Sequence, residues 1–313
     1  MLRSVILKNR FFKGIFSCLI AGSVFGAQWP IAGSALQIVD PYWFTLIRYL
    51  IVASILAIIL FYKEGKEGFK LNRKEFPKIL FLGTMAFCAY NFLVFAGQKI
   101  AGIQGTILAS LLMALIPMVS ILVLWITKKE FPGWRTLFLV SISLVGVILV
   151  VTKGNLSIFK NQSTLLQPVF LISLSVIAWV LYTIGGAEFK NWSSLKYTTL
   201  SCLLGNISSI CAILLLQHLN ISHIPSLSNL LTIKWQLLYM SVFSGVIGVL
   251  LWNIGNKLLT PQNGSLFMNL VPIITFLIEI MFGYKLTNVE LIGVTMTILA
   301  IVLNNLFQRK RIT

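Results

Sequence analysis

Ala109–Val123 reads ASLLMALIPMVSILV, and Gly264–Ile278 reads GSLFMNLVPIITFLI. Aligned without a gap, they share Ser110/Ser265, Leu111/Leu266, Met113/Met268, Leu115/Leu270, Pro117/Pro272 and Leu122/Leu277. The offset, 272 − 117 = 155 residues, is close to half of the 313-residue chain. Proline inside a helix removes a hydrogen bond and must be accommodated, so its recurrence at one place in two apolar helices points to a chain built twice. Duplication on this scale in a membrane protein points first to a transporter made of repeats.

Composition places the chain in a bilayer. It is 58% hydrophobic and 11% charged, with mean hydropathy +0.91, outside the range of soluble domains. Apolar stretches of about 20 residues match the length needed to cross hydrocarbon. Ten are expected, near 14–36, 42–62, 76–97, 101–127, 134–152, 167–188, 196–217, 235–258, 262–283 and 287–307. Asp40-Pro41, the charged run Lys63–Lys78, Lys128–Pro132, the polar segment Lys153–Gln167 and Thr260-Pro261 punctuate them. The link near Lys99 is very short. The fold expected is an all-α polytopic membrane protein of ten transmembrane helices, arranged as two inverted five-helix repeats over residues 1–155 and 156–313.

A net charge of +17 would also suit a nucleic-acid partner, but the positions of the basic residues argue for a membrane orientation instead. With the N-terminus inside, nineteen Lys and Arg fall in cytoplasmic segments, concentrated at Arg3–Lys13, Lys63–Lys78, Lys128–Arg135 and Arg309–Arg311. Five (Lys99, Lys153, Lys160, Lys234 and Lys285) fall outside, and Arg48 lies within a helix. Both termini are therefore expected in the cytoplasm, with the lipid bilayer and a small-molecule substrate as partners and no nucleic acid. Five helices per repeat is an odd number, so the second repeat enters from the opposite face. The basic pair Lys128-Lys129 accordingly has Gly283 and Tyr284 at its matching position. A second echo, AGQKI at Ala96–Ile100 against IGNKL at Ile254–Leu258, links helices three and eight. Inverted repeats place a binding site between the halves near the midplane.

Taken in order, these motifs resemble the EamA-type, ten-helix branch of the drug/metabolite transporter superfamily. The resemblance rests on Phe25-Gly26 in helix one, Arg48 in FTLIRYLIVA, Leu115-Ile116-Pro117 and Leu270-Val271-Pro272, Gly146-Val147 and Gly293-Val294, and AWVLYT at Ala178–Thr183. It covers essentially the whole chain. Tyr284 departs from the family pattern by standing where an acidic residue often follows the glycine after helix nine, although Glu130 lies near the corresponding place in the first repeat. The resemblance implies a secondary transporter of small metabolites, amino acids or amphipathic organic solutes. It implies an exporter working without ATP hydrolysis in a bacterial cell membrane, as a monomer or homodimer. A passive channel or facilitator for small solutes is the alternative.

The residues themselves fit that expectation. No phosphate-binding G-x-x-x-x-G-K-[ST] segment is present. Cys18, Cys88, Cys202 and Cys211 fall inside expected helices without C-x-x-C spacing, so neither a disulfide framework nor a zinc site is expected. His218 and His223, in an external connection without a nearby carboxylate, read as solvated loop residues. The expectation is no cofactor, no metal and no catalytic centre, since Asp40 is the only aspartate and no acidic pair sits at helical spacing within one span. The basic start followed by Ile15–Gly26 mimics a signal peptide, but this helix is needed to complete the first repeat.

Polar and aromatic residues inside the spans mark the candidate site. Arg48 lies about 9 Å down helix two and Glu279 about 6 Å from the outer end of helix nine. These embedded charges could form an ion pair, or Arg48 could reach headgroups or meet a substrate carboxylate, or Glu279 could carry a proton. Pro117 and Pro272 free the carbonyls of Met113 and Met268 and are the expected gating residues. The substrate-binding candidates are Gln28, Trp29, Tyr90, Asn91, Ser110, Met113, Trp179, Tyr182, Trp252, Asn253 and Asn269. Aromatic walls with a few amides suit a neutral or zwitterionic amphipath, and about half of the set is expected to line the cavity. Gly22, Gly26, Gly185, Gly186 and Ala187 are assigned to close helix packing.

Overall fold

The computed structural model describes residues 2–129, 131, 133–154 and 166–312, and among them there is no strand. Glu130 and Lys160 lie outside the described residues, as do the side chains of Arg3, Lys8, Lys128 and residues 309–311. The main helices are α1 (Leu2–Leu36), α2 (Pro41–Glu64), α3 (Phe76–Ile100), α4 (Gly105–Ala114 and Ile116–Lys128) and α5 (Trp134–Thr152). They continue with α6 (Leu166–Gly186), α7 (Ser194–His218), α8 (Lys234–Leu259), α9 (Asn263–Met281) and α10 (Asn288–Ile312). A six-residue helical turn, Leu227–Thr232, lies between α7 and α8.

Among the described residues, seven helices are long and apolar enough to cross a membrane: α1 to α3 and α6 to α9. The two parts of α4, bent by 48° about Leu115, make an eighth when taken together. The apolar parts of α5 and α10 are shorter, Trp134–Val150 and Asn288–Ala300. These two pair with each other, and their glycines meet. A Cβ on Gly293 would lie 2.5 Å from the Gly146 carbonyl, and one on Gly146 would lie 2.6 Å from the Gly293 carbonyl. Small residues at such a crossing let backbones approach closely where lipid offers no competing hydrophobic drive. Large apolar side chains such as Phe16, Ile58, Leu214 and Leu277 remain on the outer surface, as a lipid-facing belt requires.

Helix starts and packing contacts recur between the halves. Asp40 caps α2, accepting from Tyr42 N at 2.9 Å and Trp43 N at 3.1 Å, and Ser193 caps α7, accepting from Lys196 N at 2.9 Å. The residue before each cap receives a lysine: Lys99 Nζ donates to Val39 O at 3.0 Å, and Lys257 Nζ donates to Trp192 O. Gly97 packs on Pro168 and Ile172 of α6, while Gly255 packs on Gly14 and Cys18 of α1. Gly97 and Gly255 are the glycines of AGQKI and IGNKL, and their partners differ by 168 − 14 = 172 − 18 = 154 residues. Each half therefore makes the same contact on the other, a reciprocal, twofold-like relation. Helix α1 acts as a ruler. Gly255 meets it at Gly14, whereas Lys99 sits just past its other end, about 30 Å away at 1.5 Å per residue. Equivalent ends of α3 and α8 thus lie at opposite ends of the bundle, called here the Lys99 end and the Lys257 end.

Regularity breaks at matching places. Thr84–Ala89 of α3 and Tyr239–Gly248 of α8 are π-helical. A π segment shifts hydrogen bonding to i→i+5, and it is found frequently at functional sites. In α4 the break at Leu115 lies four to two residues after Leu111 to Met113, where Pro117 cannot donate to Met113 O. In α9 the same register is a 3₁₀ turn, Leu266–Asn269, followed by Leu270–Met281 with Pro272 in its first turn. The close-packing role of three small residues is borne out. A Cβ would meet Phe267 O at 2.7 Å from Gly22, Ile274 at 2.7 Å from Gly26 and Leu82 at 2.5 Å from Gly185.

Candidate functional site

The irregular segments converge on a buried cavity between the halves. Its walls are Phe25, Gln28 and Trp29 of α1, Tyr49 of α2, Tyr90 of α3, Met113 and Ile116 of α4, Trp179 of α6, Ser244 and Val249 of α8, and Met268 and Val271 of α9. Repeat equivalents face each other across it: Met113 and Met268, Ile116 and Val271 (268 − 113 = 271 − 116 = 155), and Phe25 and Trp179 (179 − 25 = 154). Phe25 and Trp179 touch edge to face, with ring centroids 5.9 Å apart. The cavity therefore lies on the axis relating the repeats. Its volume is ≈10 Å³, about the room for one water, so a metabolite enters only if side chains part.

Five of the eleven sequence candidates, Gln28, Trp29, Tyr90, Met113 and Trp179, line this cavity. Gln28 is held by Ser244, whose hydroxyl donates to Oε1 at 2.6 Å. The others lie off it. Asn91 donates to Ala86 O at 2.7 Å, satisfying a carbonyl within the π segment of α3. The Ser110 hydroxyl turns back to Ile107 O at 2.8 Å. Asn269 sits in the 3₁₀ turn of α9, with its Oδ1 buried and without a donor. Phe25, Tyr49, Ile116, Ser244, Val249, Met268 and Val271 are cavity residues that were not among the candidates.

A second, larger space opens beneath the cavity at the Lys257 end. It measures ≈250 Å³ and is lined by Thr183, Gly186, Ala187, Phe189, Lys190, Trp192, Ser193, Ser194 and Tyr197 on α6, α7 and their connection, and by Asn253, Asn256, Lys257, Thr260 and Pro261. Tyr182 and Trp252 separate it from the cavity. Trp252 Nε1 donates to Thr183 Oγ1 at 3.1 Å, and Asn253 Nδ2 donates to Tyr182 Oη at 2.7 Å and to Thr198 Oγ1 at 2.8 Å. Tyr182 also stacks on Tyr197, centroid to centroid 5.0 Å. These candidates form a hydrogen-bonded partition. They do not line the central cavity.

At the Lys99 end the corresponding residues close on each other. Gln98 Nε2 donates to Trp29 O at 2.9 Å and Thr106 Oγ1 at 3.2 Å. A Cβ on Gly105 would lie 2.0 Å from Gln98 O, and one on Gly33 would lie 2.7 Å from Thr106 Oγ1. Above the cavity, Phe95 packs against Trp29 at 6.2 Å and Phe44 at 5.7 Å. The repeat counterparts of Gly33, Gln98, Gly105 and Thr106 are Ala187, Asn256, Thr260 and Pro261, all of which line the open space at the other end.

The two embedded charges do not meet. Arg48 is 1% exposed, which excludes snorkelling to headgroups, and it makes no ion pair among the described residues. Its Nη2 donates to Tyr49 Oη at 3.1 Å, and its guanidinium carbon lies 4.5 Å from the Tyr49 ring centre. Glu279 is half-buried on α9, away from it. The carboxylate with the most partners is Glu290 instead, which accepts from Tyr284 Oη at 2.6 Å and lies 3.6 Å from Lys153 Nζ. Burial and Glu290 both push the Tyr284 hydroxyl upward in pKa. Among the described residues no His, Cys, Asp and Glu cluster could hold a metal, and His218 and His223 are exposed.

Known proteins share this plan. The uncharacterized transporter YrdR of Bacillus subtilis is 41% identical over 304 residues, covering 97% of this chain and 94% of its own. The uncharacterized transporter YyaM of the same bacterium is 28% identical over 290 residues, 92% of each chain. A solved crystal structure, 16% identical, superposes with TM-score 0.66 over 98% of this chain and 99% of its own, a likeness of fold. Residues 12–152 and again 166–306 match the EamA-like transporter family, one match for each half whose contacts repeat. This chain belongs to the EamA-like transporter family.

Proposed function

We propose that this transporter is a secondary exporter of small amphipathic metabolites, working by alternating access between inverted five-helix halves, residues 1–155 and 156–313. In this reading α1 to α10 all cross the membrane, both termini are cytoplasmic, and the Lys257 end faces the cytoplasm of a bacterial cell. The observation that carries it is the opposite condition of two equivalent clusters. Gly33, Gln98, Gly105 and Thr106 seal one end, whereas Ala187, Asn256, Thr260 and Pro261 border a ≈250 Å³ opening at the other. Because the repeats are equivalent, exchanging their conformations would open the first end and close the second. The opening lies at the end richer in basic residues, which supports loading from the cytoplasm and hence export.

Reconstitution in proteoliposomes tests this. The expected result is saturable uptake of one substrate class, accelerated by the same solute on the opposite side, from a screen of amino acids, nucleoside-like metabolites and organic cations. Single-channel currents without counterflow would instead favour a channel. Orientation has its own check: a cysteine at Lys70 should resist a membrane-impermeant thiol reagent in intact cells, and one at Lys285 should react.

A further inference from the structure

We infer that Arg48 is the anchor for the carboxylate of an amphipathic monoanion, and that the transported solute belongs to that class. The inference rests on the transporter reading above and deepens it.

A guanidinium removed from water needs acceptors, and a buried charge is retained at a cost unless something pairs it. Arg48 is 1% exposed, and its Nε and Nη1 have no acceptor among the described residues. What surrounds it is aromatic: its carbon lies 4.5 Å from the Tyr49 ring and 5.5 Å from the Phe95 ring. Cation–π contact offsets part of the desolvation but leaves two donor sites unused. Tyr49, which takes the third nitrogen, is itself a wall of the central cavity. The guanidinium thus stands one side chain behind the wall, with an unpaired donor on each of its two forked edges, Nε/Nη2 and Nη1/Nη2. A carboxylate can take one of those donors together with the second hydrogen of Nη2, a two-pronged geometry which a neutral amide or an ammonium does not match.

The rest of the pathway agrees. Among the described residues, no acidic residue lines the cavity or the opening at the Lys257 end. That opening carries Lys190 and Lys257, and it also receives the first residues of the 25-residue helix α7, Ser193 and Ser194, whose positive dipole end favours anions. Glu64 accepts the Ser193 hydroxyl at the border, and it is not a lining residue. The cavity's aromatic and methionine walls suit an apolar body behind the charge.

The test compares three probes of one shape on the full-length purified protein: phenylacetate, phenylacetamide and phenethylammonium. Phenylacetate should raise the melting temperature and bind about tenfold or more tightly than the amide, and the ammonium should not bind. Arg48→Met should keep or raise the ligand-free melting temperature, since an unpaired buried charge is gone, while losing the phenylacetate effect. Arg48→Lys, which retains charge without the fork, should weaken phenylacetate binding about tenfold. Equal protection by acid and amide, tighter binding of the ammonium, or full phenylacetate protection in Arg48→Met overturns the proposal. The acid–amide comparison needs no variant, so a misfolded mutant leaves it decidable. Arg48-dependent phenylacetate binding without counterflow in proteoliposomes would sink the alternating-access reading and leave only the Arg48 anchor standing.

Discussion

At the end of α3, Gln98 ties Trp29 O and Thr106 Oγ1 together, at 2.9 and 3.2 Å. Its counterpart at the end of α8, Asn256, donates to Trp252 O four residues back on its own helix, and the buried side-chain oxygens of both amides, Gln98 Oε1 and Asn256 Oδ1, are without a donor among the described residues. The neighbouring lysines nonetheless do the same thing at both ends, each reaching the carbonyl that precedes a helix cap. One scaffold is therefore repeated faithfully at its rim while the plug inside differs. The difference lies in size and chemistry: Gly33 and Gly105 allow close contact where Ala187 and Thr260 bring more bulk, and Pro261 lacks the hydroxyl with which Thr106 accepts from Gln98. Asymmetry at these four positions accompanies the opposite conditions of the two ends, and the proposed alternating access requires the resulting bias to be small enough to reverse.

The largest effect is expected at Gly105. Its missing Cβ would stand 2.0 Å from a backbone carbonyl, which cannot rotate away as a side chain can. Gly105→Ala should oppose closure of the Lys99 end by the usual overpacking cost of about 1–3 kcal/mol, slowing counterflow about ten- to hundredfold. Thr260→Ala, at the matching but open place, should change it less than about twofold. Equal rates in the two variants would break the contrast.

Next come the prolines. The 48° bend of α4 depends on Pro117 more visibly than the 3₁₀ turn of α9 depends on Pro272. Alanine at either position restores a helical donor and favours a straighter span. Both variants should remain folded and transport more slowly, Pro117→Ala by about fivefold, the equivalent of about 1 kcal/mol in the balance of states. Wild-type rates in both, with melting temperatures unchanged, would make the prolines packing features.

Much of this plan was legible in the chain. The two Leu-x-Pro stretches gave the duplication, and AGQKI against IGNKL gave the reciprocal contact that Gly97 and Gly255 make. Gln28, Trp29, Tyr90, Met113 and Trp179 reached the cavity because bulky aromatic, amide and methionine side chains in a span's middle have few other uses. Tyr49 was missed beside the conspicuous Arg48, and Phe25 was named only for its glycine neighbour. Applying the repeat offset to the site itself would have found Phe25 from Trp179, and Met268 from Met113. Asn91 was misplaced for a different reason. A π segment adds one residue to a turn without any compositional mark, and the amide serves that turn. The ion pair between Arg48 and Glu279 failed because equal depth says nothing of azimuth around separate helices.

A third comparison concerns stability. Gln98→Leu removes two buried bonds between α3, α1 and α4 along with one orphaned oxygen, so unfolding in denaturant should be easier by about 1–2 kcal/mol. Asn256→Leu removes one bond within a helix and one orphaned oxygen, and its effect should stay within about 0.5 kcal/mol. Similar losses would mean that the polar plug at the Lys99 end does not hold it shut.

The smallest effect sharpens the part of the comparison that is symmetric. Lys99 reaches Val39 O and Lys257 reaches Trp192 O, one residue before the Asp40 and Ser193 caps. Each ammonium adds a charge-assisted bond to a loop carbonyl that would otherwise be left to solvent, and solvent competition keeps its net worth small. Lys99→Met and Lys257→Met should therefore each lower stability by about 0.5–1 kcal/mol, and by similar amounts. The two latches sit at opposite ends of the bundle, about 30 Å apart, so the double variant should show the sum of the single losses within about 0.5 kcal/mol. Matched, additive losses would make the latches a fixed rim around a changing plug. A loss confined to one lysine would mean that the rim takes part in the change, with its bond made at the closed end and broken at the open one.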